Sequence, residues 1–191
     1  MKVFSKIYDR VMHWSKHRHA TYYLSGLSFA EASFFPLPPD LMLAPMSLSK
    51  PHLAWRYAAI TAIASTLGGI FGYVIGVFGF ELIYPWIVKV GYEASYLKAQ
   101  HWFNEWGFWA MFIAAFTPIP YKLFTVAAGA LRMAILPFIV ASLIGRSMRF
   151  FLVAGLMRWG GEQMDQVLRK YVDRIGFAVI IIGFILYLIF R

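Results

Sequence analysis

Five ionisable side chains stand where charge is costly: Glu31, Asp40, Lys122, Arg146 and Arg149 all lie within, or at the breaks of, long apolar stretches. On insertion scales an Asp, Lys or Arg at the bilayer centre costs about 2.5–3.5 kcal/mol, so such residues usually pair or line a path for a substrate or ion. The acids Glu31 and Asp40 are candidates for proton coupling, because a carboxyl set in apolar surroundings can take up and release a proton during a cycle. The bases Lys122, Arg146 and Arg149 are candidates for substrate binding. Arg146 and Arg149 are three residues apart and share a helix face, where their forked donors suit an anionic group such as a phosphate. The plainer reading is a set of buried ion pairs that fix helix register, with other cations snorkelling to an interface. Arg132 fits snorkelling well. Glu31 fits it poorly, since a short acid five residues before Pro36 cannot easily reach water alone.

Other chemistries find little purchase. The chain has no cysteine, which removes disulfides and thiolate chemistry. It has no GxSxG, HExxH, P-loop or dinucleotide fingerprint, so it is not expected to be an enzyme. His13 and His17 have the spacing of metal ligands, but without further ligands nearby they read as part of a solvated basic face. His52 and His101 stand isolated and read as interfacial. Neither a metal nor a cofactor is expected.

The elements that must position these charges are apolar helices. Of 191 residues, 60% are hydrophobic and only 14% charged, whereas soluble domains carry about a quarter charged residues. The mean hydropathy is +0.62. The formal net charge of +9 reads as cytoplasmic anchors facing anionic lipid headgroups, not as a nucleic-acid footprint. No cleavable signal peptide is visible: residues 1–20 are a basic amphipathic stretch, with Val3, Phe4, Ile7, Val11 and Trp14 on one face, which predicts a helix lying in the headgroup layer.

From residue 21 to 191 the chain reads as one membrane domain. Residues 21–49 are apolar but broken by Pro36, Pro38 and Pro39, and residues 107–131 are broken by Pro118 and Pro120. Proline stops helix propagation, and each leg is too short to cross a core that needs about twenty helical residues. Both segments are therefore predicted to be re-entrant helical hairpins. Spans are predicted over 57–80, 135–157 and 175–190. In the first of them Gly68, Gly72 and Gly76 fall four apart, a helix-packing face. The favoured contact there is internal; the other candidate is a second copy of the chain, which would make a homo-oligomer.

The two broken segments align without gaps, Phe34-Phe35-Pro36-Leu37-Pro38-Pro39-Asp40-Leu41 over Phe116-Thr117-Pro118-Ile119-Pro120-Tyr121-Lys122-Leu123. Each is followed by a long apolar span. Lys and Arg are concentrated in residues 1–20, at 50–56 and at 158–174, whereas 81–106, whose mixture of charge with Tyr92, Tyr96, Trp102, Phe103 and Trp106 suits a second interfacial segment, carries only Lys89 and Lys98 against Glu81, Glu93 and Glu105. The positive-inside rule puts the first three on the cytoplasmic side and 81–106 outside. The hairpins would then enter from opposite faces, an inverted repeat of the sort common in secondary transporters. The predicted fold is an all-α polytopic membrane protein, with an N-terminal amphipathic helix, two proline-broken hairpins and about three transmembrane helices. Asp40 at one tip is expected to pair with Lys122 at the other.

At these residues the chain resembles the DedA family, also called the SNARE-associated or VTT-domain family. The resemblance rests on Glu31 followed by Pro36-Leu37-Pro38 and Asp40, the Gly-rich span, Phe116-Thr117-Pro118 through Ala128-Gly129, and the helix bearing Arg146 and Arg149. It covers about residues 21 to 160. The family pattern carries arginines around the second Phe-x-Pro core; here Ala115 stands at the first such position and Tyr121 at the second, with Lys122 beside it, as in a divergent branch. Glu31 and Asp40 match cleanly. The resemblance implies a multi-pass protein of the bacterial inner membrane that supports envelope homeostasis by moving phospholipids or polyprenyl phosphates across the bilayer, with dependence on the proton gradient. Two other readings use the same charges: a small-ion or proton antiporter, and a structural membrane protein without a transport cycle. Membrane lipids and protons are the expected partners.

Overall fold

The computed structural model describes residues 19–33, 38–117 and 120–160. The predicted amphipathic helix of residues 1–20, the last predicted span at 175–190, and Pro36 and Pro118 thus lie almost wholly outside the described residues. Within them the chain is helical throughout. Helix α1 spans Ala20–Ser33. Helix α2, Asp40–Ser49, starts directly after Pro38 and Pro39. Prolines are tolerated at that point because the first-turn N–H groups have no helical acceptor in any case, while the carbonyls of Pro38 and Pro39 receive the amides of Leu41, Met42 and Leu43. Asp40 occupies the first turn, where a negative charge suits the helix dipole.

A short turn at Pro51–Leu53 leads into α3, Ala54–Val90, a single helix of 37 residues. At 1.5 Å per residue it is about 55 Å long, well beyond a hydrocarbon core of about 30 Å. Its apolar part, counted with the preceding turn, is Pro51–Leu82. The helix ends at Gly91, whose φ of 84° is left-handed, and the amides of Gly91 and Tyr92 close back onto Val88 and Ile87. Glycine makes that reversal without strain.

Helix α4 spans Glu93–Phe116 and α5 spans Tyr121–Ala130. Helix α6 runs from Ile135 to Gly160 and is, among the described residues, the second helix long and apolar enough to cross a membrane. Two sequence expectations shift here. The region 81–106, read as a separate interfacial segment, is divided between the end of α3 and the start of α4. The leg entering the second break is therefore the whole of α4, about 36 Å of helix, not a ten-residue piece beginning at Gly107. The reason is local: Glu93 to Trp106 contains neither proline nor glycine, so nothing interrupts the helix that continues into the apolar run.

The order helix, break, helix, long helix thus occurs twice, as α1–α2–α3 and α4–α5–α6. Each broken pair has its own packing centre. Leu24 of α1 and Leu43 and Met46 of α2 pack against Ala58 and Ala62 of α3 and Phe150 of α6. Met111 and Ala115 of α4 pack with Tyr121 and Ala128 of α5 and with Phe138 and Ala141 of α6. Helix α6 belongs to both centres. Helix α3 lies so close to its neighbours that a side chain at Gly68 would meet the carbonyl of Phe29 in α1, and one at Gly76 the carbonyl of Val126 in α5. Outward from these centres α3 and α6 present Ile63, Leu67, Phe71 and Phe78, and Leu143, Leu152 and Leu156, all exposed. Such an apolar exterior suits lipid, not water.

Candidate functional site

Glu31, Asp40, Arg146 and Arg149, far apart in the sequence, meet beside the two breaks. Helix α6 supplies both arginines. Arg146 is buried at 3% side-chain exposure and its Nη2 donates to the carboxylate of Glu31 on α1. Its Nε donates to Ser65 Oγ on α3 at 2.6 Å. The guanidinium lies over two rings, 4.7 Å from the Tyr121 centroid and 4.9 Å from that of Phe150. Hydrogen bonds to a carboxylate and cation–π contacts are what a desolvated guanidinium needs.

Arg149, one turn further along, ties the two breaks together. Its Nη2 donates to Asp40 Oδ2 at 2.5 Å, and its Nη1 donates to the carbonyl of Thr117 at 2.8 Å. Asp40 opens the helix after the first break, and Thr117 closes the helix before the second. This pair is more open than the first, with side-chain exposures of 20% for Arg149 and 25% for Asp40.

These geometries alter one expectation directly. Asp40, expected opposite Lys122, has its carboxylate on Arg149. A forked guanidinium can serve an acid at one tip and a backbone carbonyl at the other, which a single ammonium does less well. Lys122 lies in the first turn of α5, half-buried, and its carbonyl accepts from Thr125 Oγ1. Arg132 stands apart near the C-terminal end of α3, where it meets Glu81 at 3.3 Å with both side chains more than half exposed.

Two participants, Ser65 and Phe150, were not singled out from the sequence, and Thr117 and Tyr121 were noted only as parts of the second break, Tyr121 at a position where the family pattern has an arginine. A hydroxyl in an apolar helix is a weak signal, because it usually bonds the carbonyl one turn back. Thr61 and Thr66 do so, to Tyr57 and Ala62. Ser65, between them, instead accepts from Arg146. Tyr121 follows the second Pro-x-Pro immediately, but only the crossing of α5 and α6 puts its ring beneath a cation.

Comparison with known proteins agrees with this architecture. The VTT domain family model matches residues 37–159. Over its full length and that of the relative, the chain is 48% identical to an uncharacterised protein of Haemophilus influenzae and 45% identical to one of Histophilus somni. It is 34% identical over 168 residues to a Staphylococcus aureus protein called undecaprenyl phosphate transporter A, covering 80% of this chain and 81% of that one. No solved structure matches. With its two long apolar helices, its lipid-suited exterior and a family match across most of its length, the chain is a membrane protein belonging to the VTT-domain, or DedA, family.

Proposed function

We propose that this protein carries a phosphate-bearing lipid headgroup, of a phospholipid or polyprenyl phosphate, across the bacterial inner membrane together with protons. The observation that carries the reading is the pair of acid–arginine bridges, Glu31–Arg146 and Asp40–Arg149, set on one helix beside the two breaks. In each bridge the guanidinium is already occupied by an anion. A phosphate can reach it only by replacing the carboxylate, and a displaced carboxylate left charged in that setting is costly. A proton on Glu31 or Asp40 removes the cost. Phosphate binding and proton binding then favour each other, and each bridge re-forms when both leave. Lys122, in the first turn of α5, adds a third cation for the headgroup. The transport named for the Staphylococcus aureus relative is consistent with a phosphate-bearing lipid as cargo.

The two helical halves act in this reading as an inverted repeat, with the N-terminus cytoplasmic and the breaks as re-entrant hairpins. No catalytic step is involved.

The test is reconstitution of the full chain into vesicles carrying a labelled polyprenyl phosphate in one leaflet, with and without a pH gradient. Wild type should move the label faster with the gradient, and Glu31→Gln should lower that rate at least tenfold. Equal rates for the two proteins would remove Glu31 from the cycle, and no movement under any gradient would remove the lipid reading. A pH-sensitive dye in the same vesicles separates a proton antiporter, which would move protons without lipid.

A further inference from the structure

Buried polar groups in native proteins nearly always have a hydrogen-bond partner, so those that lack one call for an explanation. Among the described residues, the buried side-chain atoms without a partner are Asp40 Oδ1, Ser47 Oγ, Tyr121 Oη, Ser142 Oγ and Arg149 Nε. All but Ser47 belong to the site around the two arginines. Asp40 and Arg149 are half-satisfied members of a bridge already described. Tyr121 and Ser142 have no such account.

The two hydroxyls are neighbours. Tyr121 is 1% exposed and Ser142 fully buried. Ser142 lies one turn before Arg146 on α6, and the Tyr121 ring lies under the Arg146 guanidinium at 4.7 Å. The backbone is shaped around the phenol: a Cβ placed on Gly69 of α3 would lie 2.6 Å from its oxygen. Ser28, Thr61 and Thr66, buried in the same bundle, each return their hydroxyl to the carbonyl one turn back. Ser142 does not take that option. The result is two hydroxyl donors and one guanidinium gathered at one point; the hydroxyls are close enough to bond each other, which still leaves at least one hydroxyl proton without an acceptor.

An environment of donors in need of acceptors matches an oxygen-rich anion. We infer that Tyr121 and Ser142 form a hydroxyl subsite beside Arg146 that receives an oxygen of a lipid phosphate once the Glu31–Arg146 bridge opens. This rests on the phosphate-lipid reading above and deepens it. Arg146 supplies the charge, and the hydroxyls supply the geometry that holds a phosphate oxygen between α3, α5 and α6.

Removing an unsatisfied hydroxyl while keeping its ring has an unusual signature. If the phenol group is only a packing element, Tyr121→Phe should be neutral or stabilising and leave binding alone, because a buried polar group without a partner has been removed. If it is a ligand, the same substitution should leave the unliganded protein at least as stable and weaken binding. Purified full-length wild type, Tyr121→Phe and Ser142→Ala would be titrated with farnesyl phosphate, farnesol and inorganic phosphate, below the melting point of every protein. Wild type is expected to bind farnesyl phosphate and not farnesol, and each variant to bind it at least tenfold more weakly, with unliganded Tm at or above wild type.

Wild-type affinity for farnesyl phosphate in both variants would overturn the subsite and leave the transport reading standing. Failure of wild type to bind farnesyl phosphate would overturn both. Equal affinity of wild type for inorganic phosphate would overturn the lipid assignment, because the site would then recognise the free anion. Weaker binding in only one variant would reduce the subsite to that single hydroxyl and overturn the pair.

Discussion

Arg146 and Arg149 are three residues apart on one helix, yet their surroundings differ in kind. Arg146 is enclosed: it donates to a carboxylate and a serine and lies against two aromatic rings. Arg149 is spread across a gap between two elements, with one donor on Asp40, one on the Thr117 carbonyl and its Nε unpartnered. The first arrangement resembles a core and the second a clasp. A buried pair is strongly destabilising to break from one side, because the remaining charge cannot be re-solvated, while a pair open to solvent is worth far less. Identical residue chemistry at adjacent turns therefore carries different energetic weight, and the difference comes from what the neighbouring helices contribute.

The largest effect should come from breaking the enclosed pair. Glu31→Ala strands the Arg146 guanidinium, with an expected loss of about 3–5 kcal/mol, read as a lowered unfolding midpoint in detergent. Replacing both Glu31 and Arg146 with leucine should recover much of that loss, since paired removal leaves no orphan charge. An unchanged midpoint for Glu31→Ala would end the contrast drawn between the two arginines. Next in size is the clasp. Asp40→Ala at the partly exposed pair should cost about 1–3 kcal/mol, between the exposed and buried limits; a loss matching that of Glu31→Ala would show the two bridges to be energetically alike. Smallest is the surface pair of Arg132 with Glu81. Glu81→Gln should change the midpoint by less than about 1 kcal/mol, and a larger change would mean that exposure is a poor guide to these bridges.

Much of the architecture was legible beforehand for plain reasons. Prolines 38, 39 and 120 stand immediately ahead of α2 and α5, so the starts of those helices follow from local chemistry, whereas Pro45 and Pro85 are accommodated inside α2 and α3. The apolar runs that became α3 and α6 were readable from composition alone. The extents of α3 and α4 were not. Charge and aromatic content at 81–106 suggested a surface segment, but helix propensity does not register that distinction, and α3 continues past its apolar part to Gly91. At the candidate site, the types of four residues were informative while their partners were not. The alignment of the two tips pointed Asp40 to Lys122, and nothing along the chain singled out Arg149, which takes its carboxylate instead.

By itself, then, the sequence determined that charges would be concentrated at two proline breaks and on one apolar helix, because burying them at all is costly enough to make their positions conspicuous. Which acid meets which base was decided only by tertiary structure. Glu31 and Arg146 are 115 positions apart and Asp40 and Arg149 are 109. Their meeting depends on how α6 is rotated against α1, α2 and α3, and that rotation goes with the packing of Phe150 against Ala58 and the neighbouring core. The same rotation turns Ser142 and Arg146 toward Tyr121. No spacing rule along the chain contains that information, since side chains on different helices share no period.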